Sequence, residues 1–269
     1  LFDAGSETLL NLGKNKDYMG ATPGITAVLH TWGQKLDYHV HLHCVVSGGG
    51  VNEGEWAAAK RANGKFLFPE SALRKMYKGI FLRLARERKQ DIAASDEQID
   101  TAIRESGNKQ WKVYAKAPFG GPDQVVKYLG RYTHKTAITS YRIESVENGT
   151  VRFSYKDYAD GNKIKSMVLN EKEFLRRFEL HILPKRFVRI RHYGFLTNRG
   201  KVTRLNLIRE KMGLEQLKAP IEIPVAIRLL EKYGTDISRC TKCASGRYEL
   251  LFSKRFGKTT YHKPQKVPL

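Results

Sequence analysis

The segment LDYHVHLHCVVSGGG, residues 36–50, constrains the fold more than any other stretch of this 269-residue chain. Histidines occupy alternate positions at His39, His41 and His43, and mostly apolar residues fill the positions between and after them. Alternate side chains of a β-strand point to the same face of the sheet. The pattern therefore predicts a strand with one imidazole face and one apolar face that packs on a core.

Imidazoles on one strand face can converge on a single metal ion, because neighbouring side chains on that face are about 7 Å apart. The alternative is an edge strand whose histidines are solvated or hydrogen-bonded one by one. Val45 and Val46 follow directly and favour an interior strand, where neutral imidazoles would each need a partner. We therefore predict a metal site, and imidazole ligands alone do not choose between zinc, manganese and magnesium.

The composition points to a globular protein that binds a polyanion. The chain has 48 Lys and Arg against 27 Asp and Glu, a formal charge of +21, which favours nucleic acid as the partner. No apolar run approaches the roughly 20 residues of a membrane span. Three cysteines make no disulfide framework, which fits a reducing cytosol. The chain begins with leucine and shows no signal peptide, so we expect a piece of a longer cytoplasmic protein.

Periodicity and capping signals predict an alternation of strands and helices along the chain. Helices are predicted over residues 71–90, 95–106, 120–132, 170–181, 201–212 and 224–233. Strands are predicted over residues 24–32, 38–47, 66–69 and 109–117, and again between 136 and 169, with a turn over 48–55. Strands give way to short helices and prolines near Arg199. This shift predicts one domain over residues 1–199 and a small, helical, basic region over 200–269.

The segment VVKYLGRYTHK, residues 125–135, places Tyr128 and Tyr132 on one helix face, because positions four apart are neighbours. Such a pair usually serves packing. A tyrosine hydroxyl can also attack a phosphodiester, although its pKa near 10 makes it a poor nucleophile unless a cation stabilises the negative charge. The basic residues that we expect to contact DNA lie beside this pair and on the predicted helix 71–90: Lys127, Arg131, His134, Lys135, Arg74 and Lys78. For the helix 71–90, an ordinary exposed basic face is an equally good interpretation.

Three segments of the sequence resemble a known family. The histidine pair in HLH, His41 and His43, is similar to the histidine–hydrophobe–histidine signature of the HUH endonucleases. The longer stretches LHTWGQKLDYHVHLHCVVSGGG, YLGRYTHKTAITSYR and LPKRFVRIRHYGFLTNR resemble bacterial rolling-circle insertion-sequence transposases with paired tyrosines. The resemblance runs in order from about residue 1 to about residue 246.

The resemblance implies an α+β fold, in which a central antiparallel sheet carries the histidine signature on a central strand and helices pack on its faces. It implies that His41 and His43 bind Mg²⁺ or Mn²⁺, which polarises the scissile phosphate of single-stranded DNA. Tyr128 and Tyr132 then take the nucleophile positions. One tyrosine attacks to leave a 5′-phosphotyrosine and a free 3′-hydroxyl, and the other serves a second strand transfer at the transposon end or target, on bacterial nucleoid DNA.

The third metal ligand stays open at this stage. His39 is the nearest by spacing, and His30, His134, a glutamine or an acid are the alternatives. A separate CxxC, Cys240 and Cys243, would need two further ligands for zinc. His262 could supply a third but no fourth is evident, so we do not expect zinc there.

Two other functions fit the same residues. A nucleic-acid-binding module would keep a structural metal and do no chemistry. A metal-dependent nuclease would use water as the nucleophile and an acid as the base, for which Asp37 is the nearest in sequence. Cys44 could suggest a thiol nucleophile, but its place on the apolar face predicts packing.

Overall fold

The computed structural model describes residues 1–60, 67–133, 136–217, 225–240, 242–243, 245–248, 252–255 and 258–261. The chain divides into two compact units, Leu1–Leu217 and Lys218–Leu269. The first unit contains the helices α1 (Phe2–Lys14), α2 (Glu70–Glu87), α3 (Asp96–Asn108), α4 (Pro122–Thr133), α5 (Glu171–Glu179) and α6 (Lys201–Lys211). Its strands are β1 (Thr22–Trp32), β2 (Tyr38–Asn52), β3 (Glu55–Ala58), β4 (Ile143–Glu147), β5 (Thr150–Asp157), β6 (Lys163–Asn170) and β7 (Ile190–Gly194). The predicted α+β fold with an antiparallel sheet is confirmed.

The main sheet has the strand order β3-β2-β1-β7, and all of its pairs are antiparallel. β1 is the central strand because it pairs along its length with β2 and also with β7. Its sequence TPGITAVLHTW suits that place, since Ile25 and Val28 point to opposite faces and both are fully buried. Among the described residues β2 pairs with β3 only from Gly49 onward. β2, which carries the histidines, is an interior strand of this order, as expected, and at His41 and His43 its described ladder partner is β1.

The apolar face of β2 packs against α1, as the alternation predicts. Val40, Leu42 and Cys44 contact a buried cluster formed by Phe2 of α1 with Ala27 and Leu29 of β1. A second cluster on the same face joins α1 and α2 to the sheet. Its buried members are Leu9, Leu12, Met19, Ala21, Ile25 and Phe68. Each large side chain buried in this way contributes about 1.5–3 kcal/mol, so this layer fixes which face of β2 is left to the histidines.

The glycines at the end of the histidine strand are packing positions within the strand and do not form the predicted turn. A side chain at Gly49 would lie 2.4 Å from Trp56, and one at Gly50 would lie 2.6 Å from the carbonyl oxygen of Thr22. The chain reverses at Glu53 and Gly54, which both have positive φ angles. Close approach of neighbouring strands therefore explains the glycines.

The chain from α3 to residue 117 contains one correct and one wrong prediction. The capping box at the start of α3 is confirmed, with Ser95 and Gln98 each bonding the other's backbone. The predicted strand over 109–117 is wrong, because this segment lies along α2 and has no sheet partner there. Side chains of α2 bond its backbone instead: Lys78 Nζ donates to the Lys109 carbonyl at 3.0 Å, and Glu70 accepts from the Ala115 N–H at 3.2 Å. Residues 67–69 also form no strand.

A second sheet, with the order β4-β5-β6, follows α4 and confirms the β character predicted for residues 136–169. A turn at Asn148 and Gly149, both at positive φ, joins β4 to β5, as the ENG signal indicates. Phe153 of β5 and Phe174 of α5 form its core together with Leu36, which is fully buried. The tip of the β1–β2 hairpin is thus inserted into the core of the second sheet.

The second unit contains α7 (Val225–Tyr233) and a hairpin of β8 (Phe252–Arg255) and β9 (Lys258–Tyr261). α7 agrees with the predicted helix, whereas the hairpin is an addition to the helical region predicted there. The predicted boundary at residues 199 and 200 stays a prediction, and α6 belongs to the first compact unit. Among the described residues, none of the helices has the length and apolar character needed to cross a bilayer.

Candidate metal centre and tyrosine

The β1–β2 hairpin assembles three histidines on one face of the main sheet. Its register pairs His30 with His41 and Val28 with His43. Directly opposed residues of an antiparallel pair share a face, and so do His41 and His43 along β2. One ring nitrogen from each of His30, His41 and His43 lies within 4.8 Å of the others. Three ligand atoms at this spacing can surround one metal ion.

His39 does not belong to this group, although it has the same phase along β2. Its side chain is exposed. Its backbone carbonyl instead accepts a hydrogen bond from His41 Nδ1 at 2.8 Å. The third imidazole of the group is therefore His30, one of the alternatives to His39. His134 lies outside the described residues.

Hydrogen bonds determine the tautomers of the histidine pair. A carbonyl oxygen only accepts, so His41 carries its hydrogen on Nδ1 and leaves Nε2 with a lone pair. His43 Nε2 lies 3.1 Å from that atom and donates to it. In neutral His43 the other nitrogen, Nδ1, is then an acceptor. The bond from His41 to a backbone carbonyl is the outer contact that orients metal-ligating imidazoles in proteins.

Burial keeps both signature histidines neutral. Burial lowers the pKa of His41 from its ordinary value. It lowers the pKa of His43 to about 4, with smaller contributions from the nearby charges of His41 and Lys116. Neutral imidazole is the form that binds metal. Three neutral nitrogen donors at this spacing fit a divalent metal ion.

The helix α4 brings Tyr128 to the histidine group. The glycine pair before Pro122 starts this helix, and Pro122 and Asp123 suit its first turn. The Tyr128 hydroxyl lies 3.0 Å from His43 Nδ1 and, by the tautomers above, donates to it. The ring of Phe119 packs beside the Tyr128 ring, with centroids 5.1 Å apart. A phenol 85 positions away in sequence therefore directly contacts one of the signature imidazoles.

The other residues predicted for the site lie partly on the tyrosine helix and partly on the opposite face of the sheet. Tyr132 and Arg131 lie on α4, but their side chains lie outside the described part of the structure, as does all of Lys135. Lys127 is exposed on the same helix. Arg74 and Lys78 lie on α2, which packs on the opposite face of the sheet through Leu73 and Met76. The structure does not bring these two cations together with the histidines.

Two cations that the sequence did not single out lie near the group. Lys116 acts on the pKa of His43 from the irregular segment before α4. The Arg189 guanidinium lies over the ring of Trp32, 5.6 Å from its centroid, and Trp32 packs on His30 with centroids 4.2 Å apart. No periodic pattern marks either residue, because both depend on contacts between distant segments.

The cysteines divide into Cys44 on the main sheet and a pair in the second unit, of which Cys240 is partly buried and Cys243 exposed. Burial raises the pKa of Cys44 to about 12, so it is a packing residue, as predicted. In the second unit, Tyr248 donates to Cys240 Sγ at 3.5 Å, and hydrogen bonds lower the pKa of Cys240 to about 7. Within the described residues no further histidine, cysteine or acid joins this pair as a metal ligand. His262 lies outside them, and the expectation of no zinc at this pair stays a prediction.

Comparison with known proteins agrees with the resemblance. A family model described as "Putative transposase" matches residues 24–203. The chain is 38% identical to "Putative transposase y4qJ" of Sinorhizobium fredii over 92% of this chain and 65% of that protein. It is 29% identical to "Transposase for insertion sequence element IS801" of Pseudomonas savastanoi pv. phaseolicola, over 74% of this chain and 48% of that protein. No solved structure is significantly similar.

The histidine face, the adjoining tyrosine helix and the match over residues 24–203 define the class: the chain belongs to this transposase family, as the resemblance to rolling-circle insertion-sequence transposases predicted. It spans about two thirds of the length of one of these curated relatives and about half of the other.

Proposed function

We propose that this chain is the catalytic part of a rolling-circle transposase, an enzyme that cuts single-stranded DNA at the ends of its element and transfers the strand. In this proposal Tyr128 is a nucleophile. The observation that carries the proposal is the 3.0 Å contact between the Tyr128 hydroxyl and Nδ1 of His43, a member of the three-histidine group.

The metal in this proposal is a divalent ion held by His30, His41 and His43. When bound, it supplies positive charge that stabilises the phosphate as negative charge develops in the transition state. Ligation at His43 Nε2 requires the ring hydrogen of neutral His43 to lie on Nδ1. Nδ1–H then donates to the Tyr128 oxygen, which leaves the phenolic hydrogen free to depart.

The bond changes of the proposed step balance without a further reactant. The Tyr128 oxygen forms a bond to phosphorus, and the bond between phosphorus and the 3′ oxygen breaks. The phenol loses one proton, and the departing 3′ oxygen gains one to become a hydroxyl. The product is a 5′-phosphotyrosine whose reversal by another 3′-hydroxyl joins strands. Tyr132, one turn along α4, is proposed for that second transfer.

The basic side chains take the role of DNA contacts in the same proposal. Lys127, Arg131, His134 and Lys135 flank the tyrosines, and Lys116 is added because its charge reaches His43. Arg74 and Lys78 remain proposed contacts for DNA that reaches the opposite face of the sheet. The substrate is single-stranded DNA of the bacterial nucleoid, and the net charge of +21 supports a polyanionic partner.

The water-dependent nuclease is less well supported. It needs a carboxylate at the metal as base, whereas the metal-binding group found among the described residues contains three histidines and no acid. Asp37 closes the hairpin turn, where its backbone carbonyl accepts from the Gly33 N–H at 3.0 Å. A binding module without chemistry differs from the proposed enzyme in forming no covalent adduct.

The decisive experiment measures covalent protein–DNA adducts with labelled single-stranded oligonucleotides that span both ends of the element, in Mn²⁺. We expect Tyr128→Phe to reduce adduct formation at least about 100-fold, because the nucleophilic oxygen is lost. Tyr114→Phe is the matched control, since Tyr114 is 81% exposed and precedes α4. An adduct at the normal rate from Tyr128→Phe contradicts the assignment of Tyr128. An adduct from the double Tyr128→Phe, Tyr132→Phe variant rules out the tyrosine mechanism.

A further inference from the structure

The tip of the β1–β2 hairpin, residues 33–37, connects the histidine strands to the second sheet. The Gln34 carbonyl accepts a hydrogen bond from the Arg142 guanidinium at 2.6 Å. The Gln34 side chain donates to the Tyr158 hydroxyl at 3.3 Å and accepts from the Lys156 N–H at 3.2 Å. The position of the second sheet is therefore fixed relative to the strands that carry the histidines.

Aromatic rings and cations surround this tip. Tyr141 is 81% exposed and Tyr158 is 66% exposed. The Lys156 ammonium lies 5.8 Å from the Tyr158 ring centroid, and the Lys35 ammonium lies 4.9 Å from that of Tyr155. We name this set the hairpin-tip surface; its members are Lys35, Tyr141, Arg142, Tyr155, Lys156 and Tyr158.

Two acids that adjoin the hairpin-tip surface, Asp157 and Asp160, are already paired, whereas Asp37 of the tip itself is exposed. Asp157 and Asp160 both accept from Lys165, each at 2.9 Å. Asp160 also contacts Lys163 at 3.0 Å. With these two acids paired, Lys35, Arg142 and Lys156 outnumber Asp37 and give the surface a net positive charge.

We propose that the hairpin-tip surface binds the single-stranded DNA adjoining the cleavage site. Two widely exposed tyrosines offer flat faces on which bases stack, and lysines beside them reach the phosphates. Tyr38, at the start of β2, is 61% exposed and lies about 10 Å along the strand from His41. It extends the aromatic surface from the histidines toward the tip. This inference rests on the proposed function and names where its substrate strand lies.

The experiment measures binding of a fluorescent 20-nucleotide oligo-dT strand to the full chain by anisotropy, in EDTA so that no cleavage occurs. We expect the double variant Tyr141→Ala, Tyr158→Ala to bind about tenfold more weakly or worse, because two stacking faces are lost. The double variant Tyr141→Phe, Tyr158→Phe keeps the rings and should bind within twofold of the normal protein. It also loses the bond from Gln34, so it controls for that contact.

Tyr233→Ala is the matched control outside the surface, because Tyr233 is 63% exposed and Lys232 lies 5.0 Å from its ring centroid. Lys156→Gln provides an independent measurement and should reduce the slope of log affinity against log salt by about 1. An unchanged affinity of the double alanine variant, or an equal loss of affinity in Tyr233→Ala, overturns this inference but leaves the proposed function standing. Failure of the unaltered protein to bind the single strand overturns the proposed substrate as well.

Discussion

At the scale of single residues, the candidate site depends on which nitrogen of each imidazole carries hydrogen. The backbone carbonyl of His39 fixes the hydrogen of His41 on Nδ1, and this leaves the Nε2 lone pair toward His43. His39 thus orients the His41 ring through its main chain while its own ring is exposed. The spacing of histidines along β2 could not distinguish these roles, because all three have the same phase.

The roles of His30 and His39 can be separated by direct metal binding. We expect His30→Ala to weaken Mn²⁺ binding at least about tenfold, because one of three ligands is lost. His39→Ala is the matched control and should leave the affinity within about threefold, since its carbonyl remains. Titration calorimetry or the Mn²⁺ paramagnetic resonance signal measures both. If His39→Ala weakens Mn²⁺ binding more than His30→Ala does, His39 and not His30 is the third metal ligand.

The same titration compares metals. Three imidazole nitrogens should bind Mn²⁺ more tightly than Mg²⁺, because Mg²⁺ prefers oxygen ligands and gives up water reluctantly. Tighter binding of Mg²⁺ would show that oxygen ligands outside the three-histidine group complete the site.

At the scale of secondary-structure elements, local sequence predicted those elements whose stabilising contacts are local. The capping box of α3, and the glycine pair before α4 with its first residue Pro122, lie within a few residues of the helix ends that they determine. The segment 109–117 alternates like a strand, but α2 satisfies its backbone with Glu70 and Lys78. The glycines 49 and 50 resemble a turn, and only the approach of Trp56 and Thr22 explains them.

The two kinds of glycine should respond oppositely to alanine. Gly49→Ala should lower the free energy of unfolding by about 1–3 kcal/mol, because the new methyl group meets both the Trp56 ring and a backbone oxygen. Gly79 lies in the interior of α2 with open space around it, so Gly79→Ala should raise the free energy of unfolding by about 0.5–1 kcal/mol. Urea denaturation of both variants measures the difference. A change of the same sign in the free energy of unfolding of both variants would refute the packing role of Gly49.

At the scale of the whole molecule, Cys44 and Cys240 lie in different environments. The thiol of Cys44 lies against the core between the main sheet and its helices, and its pKa of about 12 leaves about one thiolate in ten thousand at pH 8. Cys240, with a pKa of about 7, is mostly thiolate at the same pH.

Alkylation by iodoacetamide should therefore modify Cys240 in the folded protein and spare Cys44. Because the pKa of Cys240 is lowered, its rate should rise through about pH 7 and level off above pH 8. Cys44 should react only in denaturing urea, where burial no longer suppresses its thiolate. Peptide mass spectrometry measures each site. Rapid modification of Cys44 without denaturant would contradict its placement on the apolar face.

The sequence by itself determined the two faces of the histidine strand, most helices and the family, because these depend on neighbouring residues or on whole motifs. Only the tertiary structure decided that His30 faces His41 and that Tyr128 contacts His43. The first depends on the register of the hairpin that the turn WGQKLD closes, which shifts between His30 and Trp32. The second depends on how α4 packs on a sheet formed 85 positions earlier, which no local pattern encodes.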